Sequence, residues 1–332
     1  MSPTRRTAFP ITLVASGAVA VLAIWPQLVG AQRLQVIAQL IPFRGLLALG
    51  FAALAVVAAV IAARRRRWGV SAALAIALAA VSLGNGAILL ARGGGSPPAP
   101  GDIVVVAWNT YGGAASPESI ARLVRETGAD VASLPETDAV AAAEVVGILS
   151  RDGIRMTSST LDAAPGDDPV PTTLLVATSL GPYSLDAEAG STPGVPSGVF
   201  RPVQGDGPTL VAAHPLPPLP LIMTDWTDGM DWVAAQCASP DVILAGDLNS
   251  TLDHLAGLGR DGGTVGECRD AAAEAGAAAV GTWPVRLPTG LAAPIDHVLV
   301  GSAWEVRGFE VRTDFDDAGS DHRPIVATLS RR

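Results

Sequence analysis

The chain has 332 residues, of which 49% are apolar and 16% are charged, and its mean hydropathy is +0.39. This composition excludes a disordered chain, and hydropathy this high beside 36 glycines and 26 prolines indicates that part of the protein lies in lipid. Residues 1–101 contain nine arginines and no acid, whereas residues 102–332 contain 13 arginines and all 31 acids. The chain therefore joins a basic apolar segment of net charge +9 to an acidic domain of net charge −18.

Three apolar stretches without a charged residue occupy the first hundred residues, at Phe9–Val29, Leu46–Ala63 and Val70–Ala91. Crossing a bilayer core requires about 20 apolar residues in a helix whose backbone groups bond internally. We therefore predict a membrane domain over residues 1–91, with transmembrane helices at about 9–29, 46–63 and 70–91.

The basic run Arg64–Arg67, between the second and third stretches, predicts the topology. Arginine-rich loops remain cytoplasmic, which places the N-terminus inside and everything after the third stretch outside. If the first stretch is instead a cleaved signal peptide, the orientation of the rest is unchanged. We predict a multi-pass protein of the plasma membrane with an extracellular domain, joined through a flexible Gly/Pro linker at residues 92–101.

Residues 102–330 alternate short β-branched runs with alanine-rich runs, a pattern typical of strands and helices in an α/β or α+β sandwich. The predicted strands are Ile103–Ala107, Val131–Leu134, Thr173–Ala177, Leu210–Ala213, Val242–Ala245, Ile295–Val300 and Ile325–Leu329. The predicted helices are Pro117–Thr127, Ala139–Leu149, Asp225–Cys237 and Asp270–Ala275.

Six of these strands carry a carboxylate, a carboxamide or an imidazole near one end. One such residue is usually a turn or cap residue, but six in one domain indicate a shared site. Carboxylate and carboxamide oxygens suit a hard cation such as Mg²⁺ or Mn²⁺, and histidines beside carboxylates suit proton transfer. In chain order the residues are Asn109, Glu136, His214, Asp247 with Asn249, Asp296, and Asp321 with His322.

In this order, with the segments GDLN, IDHVL and SDH, the sequence resembles the endonuclease/exonuclease/phosphatase (DNase I-like) superfamily across residues 102–330. The resemblance implies a four-layer α/β sandwich, in which two mixed β-sheets are flanked by helices. It also implies metal-dependent hydrolysis of phosphodiesters or phosphomonoesters at one edge of the sandwich.

The resemblance also implies roles for the metal-binding residues. Glu136 corresponds to the main metal-binding carboxylate, and Asn109 and Asp321 help to hold the ion or its waters. The family usually has glutamine before this glutamate, where the present chain has Pro135.

Five further residues take catalytic roles by the same resemblance. Asp247 corresponds to the residue that orients or deprotonates the attacking water, and its neighbour Asn249 fixes the phosphate. His322 and His214 correspond to the two histidines that face the phosphate, with Asp296 holding the far ring nitrogen of His322. The resemblance leaves open whether Asp247 or His322 is the general base.

Other polar and aromatic residues have simpler interpretations. We expect His254 to be a helix-capping or surface residue, and His297 to point away from the site because it alternates with Asp296 on a strand. Trp283 is either a wall of the substrate site or an ordinary core residue. Cys237 and Cys268 both lie in the domain predicted to be extracellular, where a disulfide is favoured over two free thiols.

The leading hypothesis is a membrane-tethered, outward-facing, metal-dependent phosphoesterase, with the lipid bilayer and a phosphate ester as its partners. An extracellular DNA or RNA nuclease is the first alternative, although the net charge of −18 disfavours a nucleic-acid-binding groove. A catalytically inactive binding or sensor domain is the second. It is disfavoured because every chemical position of the family motif is filled.

Overall fold

A computed structural model describes residues 3–65, 69–95, 99–162 and 170–332, with the backbone alone over residues 3–10. The chain divides into two compact units, Met1–Arg92 and Gly93–Arg332. Arg66 and Arg67 of the basic run and residues 96–98 of the predicted linker lie outside the described residues.

The first unit consists of the helices α1 (Pro3–Ile24), α2 (Ile37–Leu40), α3 (Arg44–Arg65) and α4 (Val70–Arg92). Two helical runs in the described residues, Ile37–Arg65 and Val70–Arg92, are long and apolar enough to cross a membrane, whereas Ile11–Ile24 is a shorter apolar helix.

The predicted span at 9–29 was too long at its end. Helix α1 ends at Ile24, and a short 3₁₀ helix follows over Pro26–Val29. A proline lacks the amide hydrogen that an α-helix needs and disfavours helical conformation in the residue before it, so Pro26 stops α1.

Polar contacts join the three long helices. The guanidinium of Arg44 donates to the carbonyl oxygen of Ile24 at 3.1 Å and to the side-chain oxygen of Asn85 at 2.6 Å. A Cβ atom on Gly84 would lie 2.8 Å from the Ile24 side chain, so the absence of a side chain lets α4 approach α1 closely.

The second unit contains the strands and helices that carry the predicted site. Its helices are α5 (Pro117–Thr127), α6 (Ala139–Arg151), α7 (Met223–Gln236), α8 (Leu252–Leu255) and α9 (Ala271–Glu274). Its strands are β1 (Ile103–Ala107), β2 (Val131–Pro135), β3 (Met156–Leu161), β4 (Thr172–Ala177), β5 (Tyr183–Leu185), β6 (Gly198–Pro202), β7 (Thr209–Ala213), β8 (Val242–Asp247), β9 (Arg269–Asp270), β10 (Asp296–Val300), β11 (Trp304–Val311) and β12 (Ile325–Arg331).

These strands form two mixed sheets of six strands each, in the orders β11-β12-β1-β2-β4-β3 and β5-β6-β7-β8-β10-β9. Each sheet has one parallel pair, β1 with β2 and β7 with β8, and its other pairs are antiparallel. The fold is the DNase I-like sandwich that the resemblance implies.

Side-chain alternation along the strands builds the core. On β1, Val105 and Ala107 face the second sheet, whereas Val106 on the opposite face packs against α5 and α6. Successive residues of a strand point to opposite faces, so a strand buried on both sides is apolar throughout. This explains why the sequence of β1, IVVVA, is apolar at every position and does not alternate between apolar and polar residues.

All seven predicted strands are present, but five others, β3, β5, β6, β9 and β11, were not predicted. Four of these, β3, β5, β9 and β11, lie at the edges of the sheets, where one side faces solvent and polar residues are tolerated. Strand β3 reads MTSSTL and exposes three of its six residues, so it carries no apolar pattern.

The predicted disulfide is present. Cys237, directly after α7, is bonded to Cys268, directly before β9, and their Cα atoms lie 5.3 Å apart. The bridge closes a loop of sequence separation 31 that contains β8 and the residues after it.

Candidate active site

The predicted site residues meet at one edge of the two sheets because of strand direction. Strands β1 and β2 are parallel and end beside Asn109 and Glu136, and β7 and β8 are parallel and end beside His214 and Asp247. Strands β10 and β12 run in the opposite direction, so their beginnings lie at the same edge. Asp296 accordingly pairs directly with Asp247 in the sheet register.

The backbone turns sharply where these strands end. Tyr111, Glu136 and Asn249 have φ angles of 56°, 64° and 47°, in the left-handed region that non-glycine residues rarely occupy. Such strain persists only where the surrounding structure enforces it, and it concentrates at functional sites. Here it marks the ends of β1, β2 and β8.

Asn109 joins the two sheets at the centre of the site. Its side-chain amide donates to Glu136 Oε1 at 3.0 Å and to Asp247 Oδ2 at 3.1 Å. Its side-chain oxygen accepts the backbone amide of Tyr111 at 2.9 Å. Asn109 therefore aligns two carboxylates that come from different sheets.

Asp296 orients the imidazole of His322. The two are joined through Nδ1 and Oδ2 at 2.9 Å, and the other ring nitrogen, Nε2, lies 3.7 Å from Asp247 Oδ2. Burial disfavours the charged ring, but the carboxylates of Asp296 and Asp247 outweigh it and raise the pKa of His322 to about 9. His322 is therefore a cation at neutral pH.

His214 has the opposite electrostatic environment. Its Nε2 atom lies 4.0 Å from Glu136 and 3.9 Å from Asp247, and its buried Nδ1 atom has no hydrogen-bond partner in the described part of the chain. Burial, reinforced by the positive charge of His322, lowers the pKa of His214 to about 3. The site thus combines one charged and one neutral imidazole.

Asp247 lies between these two histidines. Burial raises the pKa of its carboxyl group to about 7, against the opposing effect of His322. Its Oδ1 atom accepts the backbone amide of Asn249 at 2.8 Å. The side-chain amide of Asn249 donates to the carbonyl oxygen of Pro215 at 3.0 Å, which joins the segment after β8 to the segment after β7.

Asp321 is the last of the eight predicted site residues. One of its oxygens, Oδ2, accepts the indole N–H of Trp283 at 2.8 Å, while Oδ1 lies 4.0 Å from Nε2 of His322. All eight predicted site residues therefore lie at one edge of the sandwich.

Comparison with known proteins gives the family. Residues 106–322 match the model of the endonuclease/exonuclease/phosphatase family, and this range contains all eight predicted site residues. The chain belongs to this family. No curated protein matched the chain.

Solved structures support the fold. An endonuclease/exonuclease/phosphatase from Beutenbergia cavernae DSM 12333 is 16% identical, with a TM-score of 0.51 over 69% of this chain and 71% of that one. A humanized D. rerio TDP2 is also 16% identical, with a TM-score of 0.50 over 68% and 98%. A D. rerio TDP2 complexed with a single-strand DNA product is 15% identical, with a TM-score of 0.50 over 68% and 98%.

Members of the family generally depend on a divalent metal, and the residues present fit one. In the described residues, the ion-pair contacts of the site carboxylates go to His214 and His322 alone, and His214 is neutral. Buried oxygens of Asp296 and Asp321 have no hydrogen-bond partner there. This surplus of buried negative charge favours a cation, and oxygen donors suit a hard one.

Among the residues that the structure describes, one group of ligand atoms has mutual distances short enough to hold a metal ion. Asp247, Asp296 and His322 each place such an atom within 4.8 Å of the others. However, Oδ2 of Asp296 and Nδ1 of His322 are already hydrogen-bonded to each other, so the carboxylate of Glu136 and the unbonded Oδ1 of Asp321 are the better ligands.

Several supporting residues were not predicted. Ser320, in the SDH segment, donates to the carbonyl oxygen of Asn109 at 2.6 Å and accepts the amide of His322 at 2.9 Å. Buried Arg323 donates to the carbonyl oxygens of Val285 and Leu287 and thereby holds the segment that carries Trp283. Their only signal in the sequence is that Ser320 belongs to the SDH segment and Arg323 directly follows it.

The remaining two histidines lie outside the site. His297 faces away from it, as the strand alternation predicts, and contacts Asp270 and the carbonyl oxygen of Ser250. His254 accepts the backbone amide of Thr251 at the start of α8, which agrees with a capping role, but it is fully buried and not on the surface.

Proposed function

We propose that this chain is a membrane-tethered, outward-facing phosphoesterase that hydrolyses phosphodiester bonds with Mg²⁺ or Mn²⁺. The main observation in support is the arrangement of Asp296, His322 and Asp247. Asp296 holds one side of the charged imidazole of His322, and Nε2 on the other side lies 3.7 Å from Oδ2 of the buried Asp247 carboxylate. Hydrolysis needs both a positive group for the phosphate and a proton acceptor for the water.

The geometry assigns separate tasks to these two groups. Because Asp296 holds Nδ1, the imidazolium of His322 presents Nε2–H towards the centre of the site, where a phosphoryl oxygen would bind. Asp247 takes the proton of the attacking water, since its pKa of about 7 suits a base at neutral pH. Neutral His214 contributes a hydrogen bond to the phosphate without adding charge.

Glu136 and Asp321 would hold the metal, with Asn109 aligning Glu136. A bound divalent cation would stabilise the negative charge that develops on the phosphoryl oxygens. Trp283 fixes one oxygen of Asp321, which leaves the other directed towards the site.

Membrane attachment is supported by the two candidate spans and by the charge asymmetry on either side of residue 101. A phosphatase reporter fused after Arg92 should be active, and one fused within the run Arg64–Arg67 should be inactive. The reverse pattern would contradict the extracellular orientation.

The activity is tested with the full chain in lipid nanodiscs and three substrates: bis-p-nitrophenyl phosphate, a choline phospholipid and a plasmid. We expect hydrolysis of the first two with Mg²⁺ or Mn²⁺, and its loss in Asp247→Asn. Preferential plasmid cleavage would identify a nuclease. Absence of any turnover, with metal binding retained, would identify a sensor domain.

A further inference from the structure

The backbone of Glu136 is held in a conformation that a glutamate rarely adopts. Its φ angle of 64° lies in the left-handed region, where the Cβ atom of any residue other than glycine is crowded. The peptide before Glu136 is fixed, because the amide of Glu136 donates to the carbonyl oxygen of Pro171 at 2.8 Å. The peptide that follows needs a second contact if the left-handed angle is to persist.

That second contact comes from Thr110. Its hydroxyl group lies 2.9 Å from the carbonyl oxygen of Glu136 and 3.3 Å from that of Pro135. The Pro135 oxygen already accepts the backbone amide of Thr110 at 3.0 Å. A hydroxyl group has one proton to donate, and the shorter distance together with this existing bond assigns it to Glu136.

Three further threonines extend this contact, and we call Thr110, Thr137, Thr160 and Thr173 together the threonine chain. Thr137 Oγ1 lies 2.9 Å from Thr110 Oγ1, and Thr137 is the donor in this pair because the Thr110 proton goes to Glu136. Thr173 donates to the carbonyl oxygen of Thr137 at 2.8 Å, which makes Thr160 the donor to Thr173 at 2.7 Å. The peptides on both sides of Thr137 therefore accept a hydroxyl proton.

The threonine chain is shielded from water where it contacts Glu136. Thr110, Thr137 and Thr173 are fully buried, whereas Thr160, on the edge strand β3, is partly exposed. A hydrogen bond to a buried carbonyl oxygen is costly to lose, because water does not replace the missing donor. The hydroxyl group of Thr110 is therefore a strong constraint on the Glu136 backbone.

Thr110 and its neighbour Asn109 hold Glu136 at two different points. The side-chain amide of Asn109 donates to Oε1 of the Glu136 carboxylate at 3.0 Å, while the hydroxyl group of Thr110 holds the backbone. If the backbone contact is removed, the left-handed φ angle can relax to an ordinary value. The carboxylate then leaves the position that Asn109 and the strained backbone give it together.

We propose that Thr110 is a positioning residue, whose hydroxyl group holds Glu136 in the conformation that binds the metal ion. This inference rests on the assignment of Glu136 as a metal ligand in the proposed function. If the metal-free chain relaxes, metal binding must restore the strained conformation, and the apparent affinity falls with the fraction of molecules that keep it. The strain of one unusual backbone conformation is large enough to lower this affinity at least about fivefold.

The test compares three threonine variants of the full chain in detergent. Thr110→Val removes the hydroxyl group and keeps the shape of the side chain, whereas Thr110→Ser keeps the hydroxyl group. Thr172→Val is the matched control, because Thr172 is as buried as Thr110 but its hydroxyl oxygen has no hydrogen-bond partner among the described residues. Mn²⁺ affinity is measured by calorimetry, and thermal unfolding shows that each variant is folded.

We expect Mn²⁺ affinity to fall at least about fivefold in Thr110→Val and to stay close to wild type in Thr110→Ser and Thr172→Val. Wild-type affinity in Thr110→Val would overturn the proposal. An equal loss in Thr110→Ser or in Thr172→Val would also overturn it, because the hydroxyl group of Thr110 would not be the cause. If Thr110→Val does not fold, Thr110→Ala takes its place, since it also lacks the hydroxyl group but puts no methyl group against the carbonyl oxygen.

Hydrogen exchange measured by mass spectrometry reports on the Glu136 backbone without metal or substrate. In a peptide that covers Glu136, we expect faster amide exchange in Thr110→Val than in wild type or Thr172→Val, because the amide of Glu136 opens more often. An unchanged rate would overturn the proposal. If the wild-type chain binds no Mn²⁺, or if Glu136→Gln binds it equally well, the metal assignment in the proposed function fails, and the exchange rate still decides whether Thr110 holds Glu136.

Discussion

His297 and Asp270 form a buried charged pair behind the active site. Nδ1 of His297 lies 2.6 Å from Oδ2 of Asp270, and Nε2 lies 2.7 Å from the carbonyl oxygen of Ser250. A carboxylate and a carbonyl oxygen both accept hydrogen bonds, so both ring nitrogens must carry a proton. The pair thereby ties β9 and β10 to the segment after β8 that carries Asn249.

This pair predicts a stability that depends on pH. Burial opposes the charge on His297, but Asp270 and the carbonyl oxygen of Ser250 outweigh it and raise its pKa. The pair therefore contributes fully below the unfolded-state pKa of about 6.5, and its contribution is lost as pH rises through the higher folded-state pKa. We expect His297→Gln to lower the free energy of unfolding by about 3–5 kcal/mol at pH 6, as when one partner of a buried ion pair is removed.

The measurement is thermal unfolding of the full chain in detergent, followed by tryptophan fluorescence from pH 6 to pH 10. The difference between wild type and His297→Gln should shrink as pH rises. A difference that stays constant over this range would show that His297 acts by packing and not by charge. His254→Gln is the control, because His254 is a buried histidine that accepts the backbone amide of Thr251.

The pairing of Asp296 with His322 predicts non-additive kinetics. Asp296 acts on the substrate only through the imidazole it holds, so Asp296→Asn should lower kcat/KM less than His322→Ala. The double variant should be little worse than His322→Ala alone. The four rates on one soluble phosphodiester decide this, and fully additive losses would remove Asp296 from the catalytic apparatus.

The surplus of carboxylates predicts metal dependence. EDTA should abolish activity, Mg²⁺ or Mn²⁺ should restore it, and Glu136→Gln should weaken Mn²⁺ binding measured by calorimetry at least about tenfold, as expected when a charged ligand is lost. Asp138→Asn is a suitable control, because Asp138 caps α6 with its side chain and is not part of the site. Restoration by Zn²⁺ alone would contradict the assignment of a hard cation.

The Cys237–Cys268 bridge predicts a loss of stability on removal. For a loop of sequence separation 31, the chain-entropy model gives about 3–4 kcal/mol. Replacing both cysteines by serine should lower the free energy of unfolding by this order, while the metal affinity of the folded protein stays close to wild type. Two alkylatable thiols in protein taken from membranes, detected by mass spectrometry, would contradict a bridge formed in the cell.

The sequence alone predicts the central strands, the family and which eight polar residues lie together at one edge of the sheets, because these signals are local. A strand that is buried on both faces must be apolar over five or six consecutive residues, as at β1 and β8, and polar residues directly after such a run are conspicuous. The disulfide was expected from the predicted extracellular location and from the number of cysteines. The end of α1 was missed because an apolar run continues past Pro26, although the helix does not.

Only the tertiary structure decides which side chains become hydrogen-bond partners and which charge each of them carries. His297 contacts Asp270 and Ser250, which are 27 and 47 residues away, and no periodicity encodes such partners. Trp283 similarly proves to hold Asp321, 38 residues later. The charge states of His214 and His322 also depend on folding, because identical imidazoles acquire opposite pKa shifts from burial and from the carboxylates that strand pairing brings beside them.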